Sequence, residues 1–236
     1  MSLFYVSDTY DNSANVIYIR ESLSDLFFKK GNVEIVVDVH RAGIYLKVEN
    51  EYEKIAREEV YDKICDVIAV GYKYEFFTKK LQLEKMQKVH KELLLSSIIS
   101  ADMDEDKRYI KNKLYSIKNN CSIDGFYNFR LRNLKSKWSE IAEYIPAYFS
   151  ERELKDFIVY LIDEKRGRKV FIEGGCVYDG RFNRLKRASL LPGDSLKIVK
   201  EVLISGACEV ELKGKLSNED EMYLKEYFGD KICFKA

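Results

Sequence analysis

The sequence predicts an α+β fold: a helical middle flanked by N-terminal strands and a hairpin, and by a C-terminal hairpin with a β-α-β unit. Three observations carry this. Residues 33–39 ("VEIVVDV") and 44–48 ("IYLKV") are β-branched runs joined by "HRAG", the pattern of a hairpin with a four-residue connection. Residues 51–164 place apolar side chains every three or four positions, a helical period. From residue 169 onward, short β-branched runs return, broken by turn residues and two helical stretches.

Taken in order, "NVIYI" (15–19) reads as a strand because of its β-branched and aromatic content. "ESLSDLFFKKG" spaces Leu23, Leu26 and Phe27 helically and closes on Gly31, a suitable C′ residue. "EYEKIAREEVYDKICDVIAV" keeps Ile55, Val60, Ile64, Val67 and Ile68 near one face, and Gly71 is expected to interrupt it. A second helix is expected over Glu75–Ser100. A third follows in "DEDKRYIKNKLYSIK", whose early acids and later lysines match the helix dipole.

Two helices are expected between Ile123 and Glu164. In the first, Tyr127, Leu131, Leu134, Trp138, Ile141, Ile145 and Tyr148 form a continuous seam that Pro146 should end. "SERE" fits a capping box, with Ser150 as N-cap and Glu153 reaching back; Leu154, Phe157, Ile158, Leu161 and Ile162 supply the second helix's stripe. "KVFIE" and "CVYD" flank Gly174-Gly175, a two-residue hairpin signal, since both glycines accept positive φ. A helix over Asp194–Ser205, the strand "EVELK", the helix "NEDEMYLKEYF" and the strand "KICFK" close the chain, the last two strands parallel. The expected organisation is an N-terminal α+β region (1–119) and a C-terminal one (120–236).

The 236 residues, 46% of them apolar, suffice for a real core and argue against disorder. Five cysteines without a CxxC favour a reducing compartment over a disulfide framework. No basic-then-apolar leader opens the sequence, and "LLLSSII" is far short of the ~20 residues that span a bilayer, so a cytoplasmic protein with no membrane span is expected.

Charge is unevenly placed around a net +1. Residues 107–137 hold nine Lys/Arg against one acid, and residues 165–187 hold eight against two. These blocks, with Arg108, Lys111, Arg132, Lys135 and Lys137 in the first and Arg166, Arg168 and Lys169 in the second, are candidate anion- or partner-binding residues. The bland alternative is a solvated basic face neutralised by the acids of 138–164.

Motifs for other chemistries fail. No P-loop, GxGxxG or HExxH occurs, and with only His40 and His90 a His-rich zinc site is excluded, so no cofactor, metal or catalytic residue is expected. Asp38 and His40 would share a strand face, but the hairpin turn beside them explains both. "DMDED" (102–106) starts like an EF-hand loop, yet Lys107 and Lys113 stand where Gly and Glu are needed. Cys176 follows two glycines on a hairpin, where neither a base nor a helix terminus would activate it.

"DGFYNFRLR" (124–132) combines aromatics and arginines at the start of the seam. At 100° per residue, Tyr127 and Leu131 face the seam, Arg130 flanks it, and Phe129 and Arg132 point away. Aromatics on both sides predict a helix sandwiched between layers. Arg130 would then need a carboxylate, with Asp156, Glu153 or Glu140 as candidates.

"IDGFYNFRLRNLKSKWSEIAEYIPAYFSERELKDFIVYLID" followed by a V-x-I strand and "YLKEYFGDKICF" resembles the YtxC-like family of sporulation proteins over residues 120–236. The resemblance implies a role in endospore formation and no established activity, cofactor or catalytic residue. The leading expectation is therefore a non-enzymatic protein of sporulating cells that binds a protein partner. Nucleic-acid or polyanion binding through 107–137 and 165–187 is the alternative, and an enzyme of unrecognised type is the third.

Overall fold

A computed structural model describes residues 1–117, 119–165 and 167–235. They are helices and strands in an α+β arrangement with two mixed sheets. The chain divides into two compact units, Met1–Lys73 with Asp104–Glu140, and Tyr74–Met103 with Ile141–Ala236. The expected division at 119/120 falls inside the first unit, because a short strand just after residue 119 joins the N-terminal sheet.

In the first unit, β1 (Ser2–Thr9), β2 (Gly31–Val37), β3 (Arg41–Val48) and β4 (Asn120–Ser122) form a sheet in the order β2-β3-β1-β4. β3 runs antiparallel to both neighbours, while β4 is parallel to β1, with Ser7 opposite Ser122. Helices α1 (Ser13–Ser22), α2 (Asp25–Lys29), α3 (Glu53–Asp66), α6 (Met103–Leu114), α7 (Ile123–Arg130) and α8 (Arg132–Tyr144) accompany it. Phe4, Val6, Val16, Ile19, Ile44, Leu46, Ile64 and Trp138 are buried in its core.

Several expectations change. "NVIYI" lies in α1, not a strand: Val16 and Ile19, three residues apart, are both buried, and packing overrides the β preference of isolated residues. Gly31 follows the C-cap Lys30 of α2, the expected C′ position, but without a positive φ, and it opens β2; a Cβ there would stand 2.1 Å from the Lys47 carbonyl oxygen, so close backbone approach demands glycine. Gly71 does not stop α3, which continues through a π-helical segment, Val67–Tyr72, into α4 (Lys73–Lys80). The helix expected over Glu75–Ser100 is two, α4 and α5 (Lys88–Ala101), separated where Leu81 and Leu83 turn inward.

The second unit's sheet, β7-β6-β5-β8-β9, comprises β5 (Lys169–Glu173), β6 (Cys176–Tyr178), β7 (Arg184–Leu185), β8 (Glu209–Lys213) and β9 (Ile232–Lys235). Gly174 and Gly175 adopt φ of 58° and 71° between β5 and β6, as the hairpin signal requires. The β8-α11-β9 unit, with α11 at Asn218–Phe228, places its strands parallel. α9 (Glu151–Asp163) opens on the expected capping box, and α10 (Lys197–Ser205) packs on α5.

The seam from Tyr127 to Tyr148 breaks at Leu131, whose φ of −112° and ψ of 32° divide α7 from α8. Leu131, Leu134 and Trp138 are buried, but Phe126 is buried where Tyr127 was expected, and Tyr148 lies beyond the helix, exposed. Phe129 is 73% exposed, so this helix is not sandwiched between layers.

Candidate functional site

β1 and β4 end side by side, and each leads into a helix, α1 and α7. The carboxyl ends of this one parallel pair thus collect polar side chains, as strand ends do in open parallel sheets. Arg41, at the start of β3, donates to Ser7 Oγ (3.2 Å), Ser122 Oγ (2.9 Å) and Asp124 Oδ1 (2.6 Å). Ser122 caps α7 by accepting from the Gly125 amide. One residue beyond Ser7, buried Asp8 accepts from the Thr9 amide (2.8 Å) and the Tyr72 hydroxyl (2.7 Å) at Oδ1, and from Asn15 Nδ2 (2.8 Å) at Oδ2.

These two carboxylates are pushed in opposite directions. Burial raises Asp8 above the usual carboxylate range, outweighing its three hydrogen bonds, and the nearby Asp124 charge adds to the rise. Burial would also raise Asp124, but the Arg41 and Ser122 hydrogen bonds prevail and hold it low. Tyr72 is raised by burial and by Asp8. Such a divergence can serve proton transfer. Here, however, both Asp8 oxygens are engaged by donors of the chain itself, which makes the cluster a fixed strut between β1, α1 and the π segment.

An aromatic run leads from this cluster to a second one. Tyr72 packs on Tyr127 (4.5 Å between centroids) and Tyr127 on Trp138 (6.2 Å). Trp138 Nε1 donates to Asp106 Oδ2 (2.9 Å), which Lys73 Nζ approaches to 2.6 Å. Sequence reasoning missed this network, although the acidic "DMDED" run contained its central carboxylate and "DGFYNFRLR" contained Asp124 and Tyr127.

The basic candidates are mostly engaged. Lys111 pairs with Glu58 (2.9 Å) and Asp62 (2.7 Å), and Lys137 with Glu105 (2.7 Å) and Asp106 (3.1 Å). Lys135 lies over the Tyr127 ring, and Arg108 donates to the Asp104 carbonyl. Arg132 is exposed. In the second unit, Arg168 donates to the Ser205 carbonyl (2.6 Å) and Lys169 pairs with Glu211 (2.8 Å). Arg166, like Lys118, lies outside the described residues. The two blocks therefore sit in different units, and acids pair with Lys111, Lys137 and Lys169.

The expected ion pair of Arg130 is corrected. The break at Leu131 turns Arg130 out to solvent, so no buried charge there requires a carboxylate. Glu153 instead closes the capping box with Ser150, and Asp156 lies 3.9 Å from Arg152. Asp38 accepts from the His40 and Arg41 amides, fastening the β2–β3 turn as the plain reading of that hairpin requires. Among the described residues, no group of three or more His, Cys, Asp or Glu is arranged to hold a metal, and no helix is long and apolar enough to cross a membrane.

The feature that sequence reasoning passed over is the outer edge of β2. Ile35 is 38% exposed, Val36 40%, Val37 55% and Val39 84%. The Asp38 amide donates to the Arg41 carbonyl and the Lys30 carbonyl accepts from the Glu49 amide, so even-numbered residues bond to β3. By antiparallel alternation, the N–H and C=O groups of Val33, Ile35 and Val37 face the free edge. From Gly31 to Val39 there is no Lys, Arg or Pro, and the charges there are the acids Glu34 and Asp38. The signal in the sequence was this run of β-branched residues.

No family profile, curated protein or solved structure matches the chain.

Proposed function

We propose that this protein is a non-enzymatic, cytoplasmic binding protein of sporulating cells that engages a protein partner by strand addition at β2. The observation that carries this reading is the outer edge of β2, which among the described residues pairs with no strand but β3, and on which Ile35 and Val37 are exposed, with Val39 exposed in the turn beyond. Edge strands of this kind add a partner strand through main-chain hydrogen bonds, while side-chain contacts supply specificity. The resemblance of residues 120–236 to YtxC-like proteins supports the sporulation setting. The internal satisfaction of Asp8 and of the Lys73–Asp106 cluster supports a binding role over catalysis.

The test compares tagged wild type with Ile35→Pro in sporulating cells. Proline at 35 removes an N–H that faces the free edge and leaves the β2–β3 bonds in place. A protein recovered with the wild type and lost with the variant, at equal expression, is the expected outcome. Equal recovery contradicts the reading.

One observation favours a second reading, binding of single-stranded nucleic acid. Phe129, Arg130 and Arg132 are all exposed, and an exposed aromatic ring with two guanidinium groups within four residues is the chemistry that stacks on bases and contacts phosphates. Affinity for DNA and RNA at ~50 and ~200 mM salt tests it, since phosphate contacts give a steep salt slope. No binding at the lower salt rejects it.

A further inference from the structure

We infer that the strand added at β2 is the β2 of a second copy of this chain, running antiparallel with Ile35 on the two-fold axis. This rests on the strand-addition reading and names its partner. A two-fold contact of this kind is isologous and closes on itself, joining two four-stranded sheets into one of eight.

Charge selects the register. The outward-facing backbone groups belong to odd-numbered residues, so a second β2 must pair odd with odd, and allowed registers differ by two residues. Centring the axis on Glu34 sets that carboxylate against its own copy. Centring it on Val36 sets Glu34 against Asp38, another acid. With Ile35 on the axis, Glu34 faces Val36 and Asp38 faces Asn32, so no acid stands directly opposite an acid and the acids meet only on the longer diagonals.

The same register completes the apolar face. Val33, Ile35 and Val37 lie on the core side of the sheet, opposite Leu46, Ile44 and Ala42 of β3, which are buried. Ile35 would meet Ile35, and Val37 would meet Val33. The core row, which stops at an exposed edge in one chain, would continue across the axis.

The register gives the test a sign. In this pairing, position 36 faces Glu34 of the second copy at the close, non-hydrogen-bonded spacing, and does so twice. Val36→Lys places an ammonium opposite a carboxylate, while Val36→Glu places two carboxylates opposite each other. Val36→Thr serves as the neutral β-branched control, and circular dichroism checks that all three fold.

Sedimentation equilibrium of the full chain over roughly 1–500 µM is expected to show a monomer–dimer equilibrium. The dissociation constant of Val36→Glu should exceed that of Val36→Lys by about tenfold, with Val36→Thr near wild type. A monomer at every concentration overturns the inference, as does equal weakening by both charges. If the chain is monomeric while Ile35→Pro still loses a co-purified protein, strand addition stands and self-pairing falls. If neither effect appears, both fall.

Discussion

Lys73 and Asp106 form a fully buried ion pair, Nζ to Oδ2 at 2.6 Å, with no exposed surface on either side chain. Asp106 also accepts from Trp138 Nε1, while Lys137 reaches its other oxygen. One carboxylate thereby ties the start of α4 to α6 and α8. Desolvating two charges is costly, so such a pair adds little net stability, but removing one partner strands the other.

Asp106→Ala is therefore expected to destabilise the protein by about 3–5 kcal/mol in urea unfolding, because the Lys73 ammonium is left buried without its carboxylate. Lys73→Met should cost less, since Lys137 and Trp138 still face Asp106.

Asp8 makes stability depend on pH in a definite direction. Its pKa is raised in the folded chain, so its contribution is complete below the usual aspartate range and is lost as pH rises through the folded value. Asp8→Asn removes that loss. Urea midpoints measured at about pH 4 and pH 7 should shift in favour of the variant at the higher pH. Parallel pH profiles would contradict the burial of an ionisable group there.

Thiol reactivity should separate the cysteines. Burial pushes the thiols of Cys65 and Cys121 up to about 12, whereas Cys233 is exposed on β9. A thiolate-specific reagent at neutral pH is expected to label Cys233 in the native protein, and Cys65 and Cys121 only after denaturation.

Ser150 caps α9 with a reciprocal Glu153 bond, so Ser150→Ala should cost about 1 kcal/mol. Phe129→Ala, at an exposed position, should change stability by less than about 0.5 kcal/mol. A larger loss for Phe129 would restore the sandwiched helix that the sequence suggested.

Local chemistry was legible wherever a few adjacent residues determine it. The Ser150 capping box, the Gly174-Gly175 turn and the β8-α11-β9 unit follow from spacing alone. What was not legible depends on distant partners. The residues "NVIYI" form a helix because Val16 and Ile19 meet a sheet. The division at 119/120 fails because Asn120–Ser122 pairs with β1, more than a hundred residues earlier. Arg41 and Asp124 meet across the same pairing, which no local pattern announces. The basic blocks were visible as counts, but the pairing of Lys111 and Lys169 with Glu58, Asp62 and Glu211 depends on packing.

The exposed edge of β2 is tested most directly by amide hydrogen exchange, residue by residue, at low and high protein concentration. Glu34 and Val36 bond to β3 and should be protected in both conditions, whereas Val33, Ile35 and Val37 should exchange freely when dilute. Strand pairing at this edge predicts that these three odd-numbered amides become protected together as concentration rises. Free exchange of all three at every concentration, and in the presence of any co-purified protein, would contradict it.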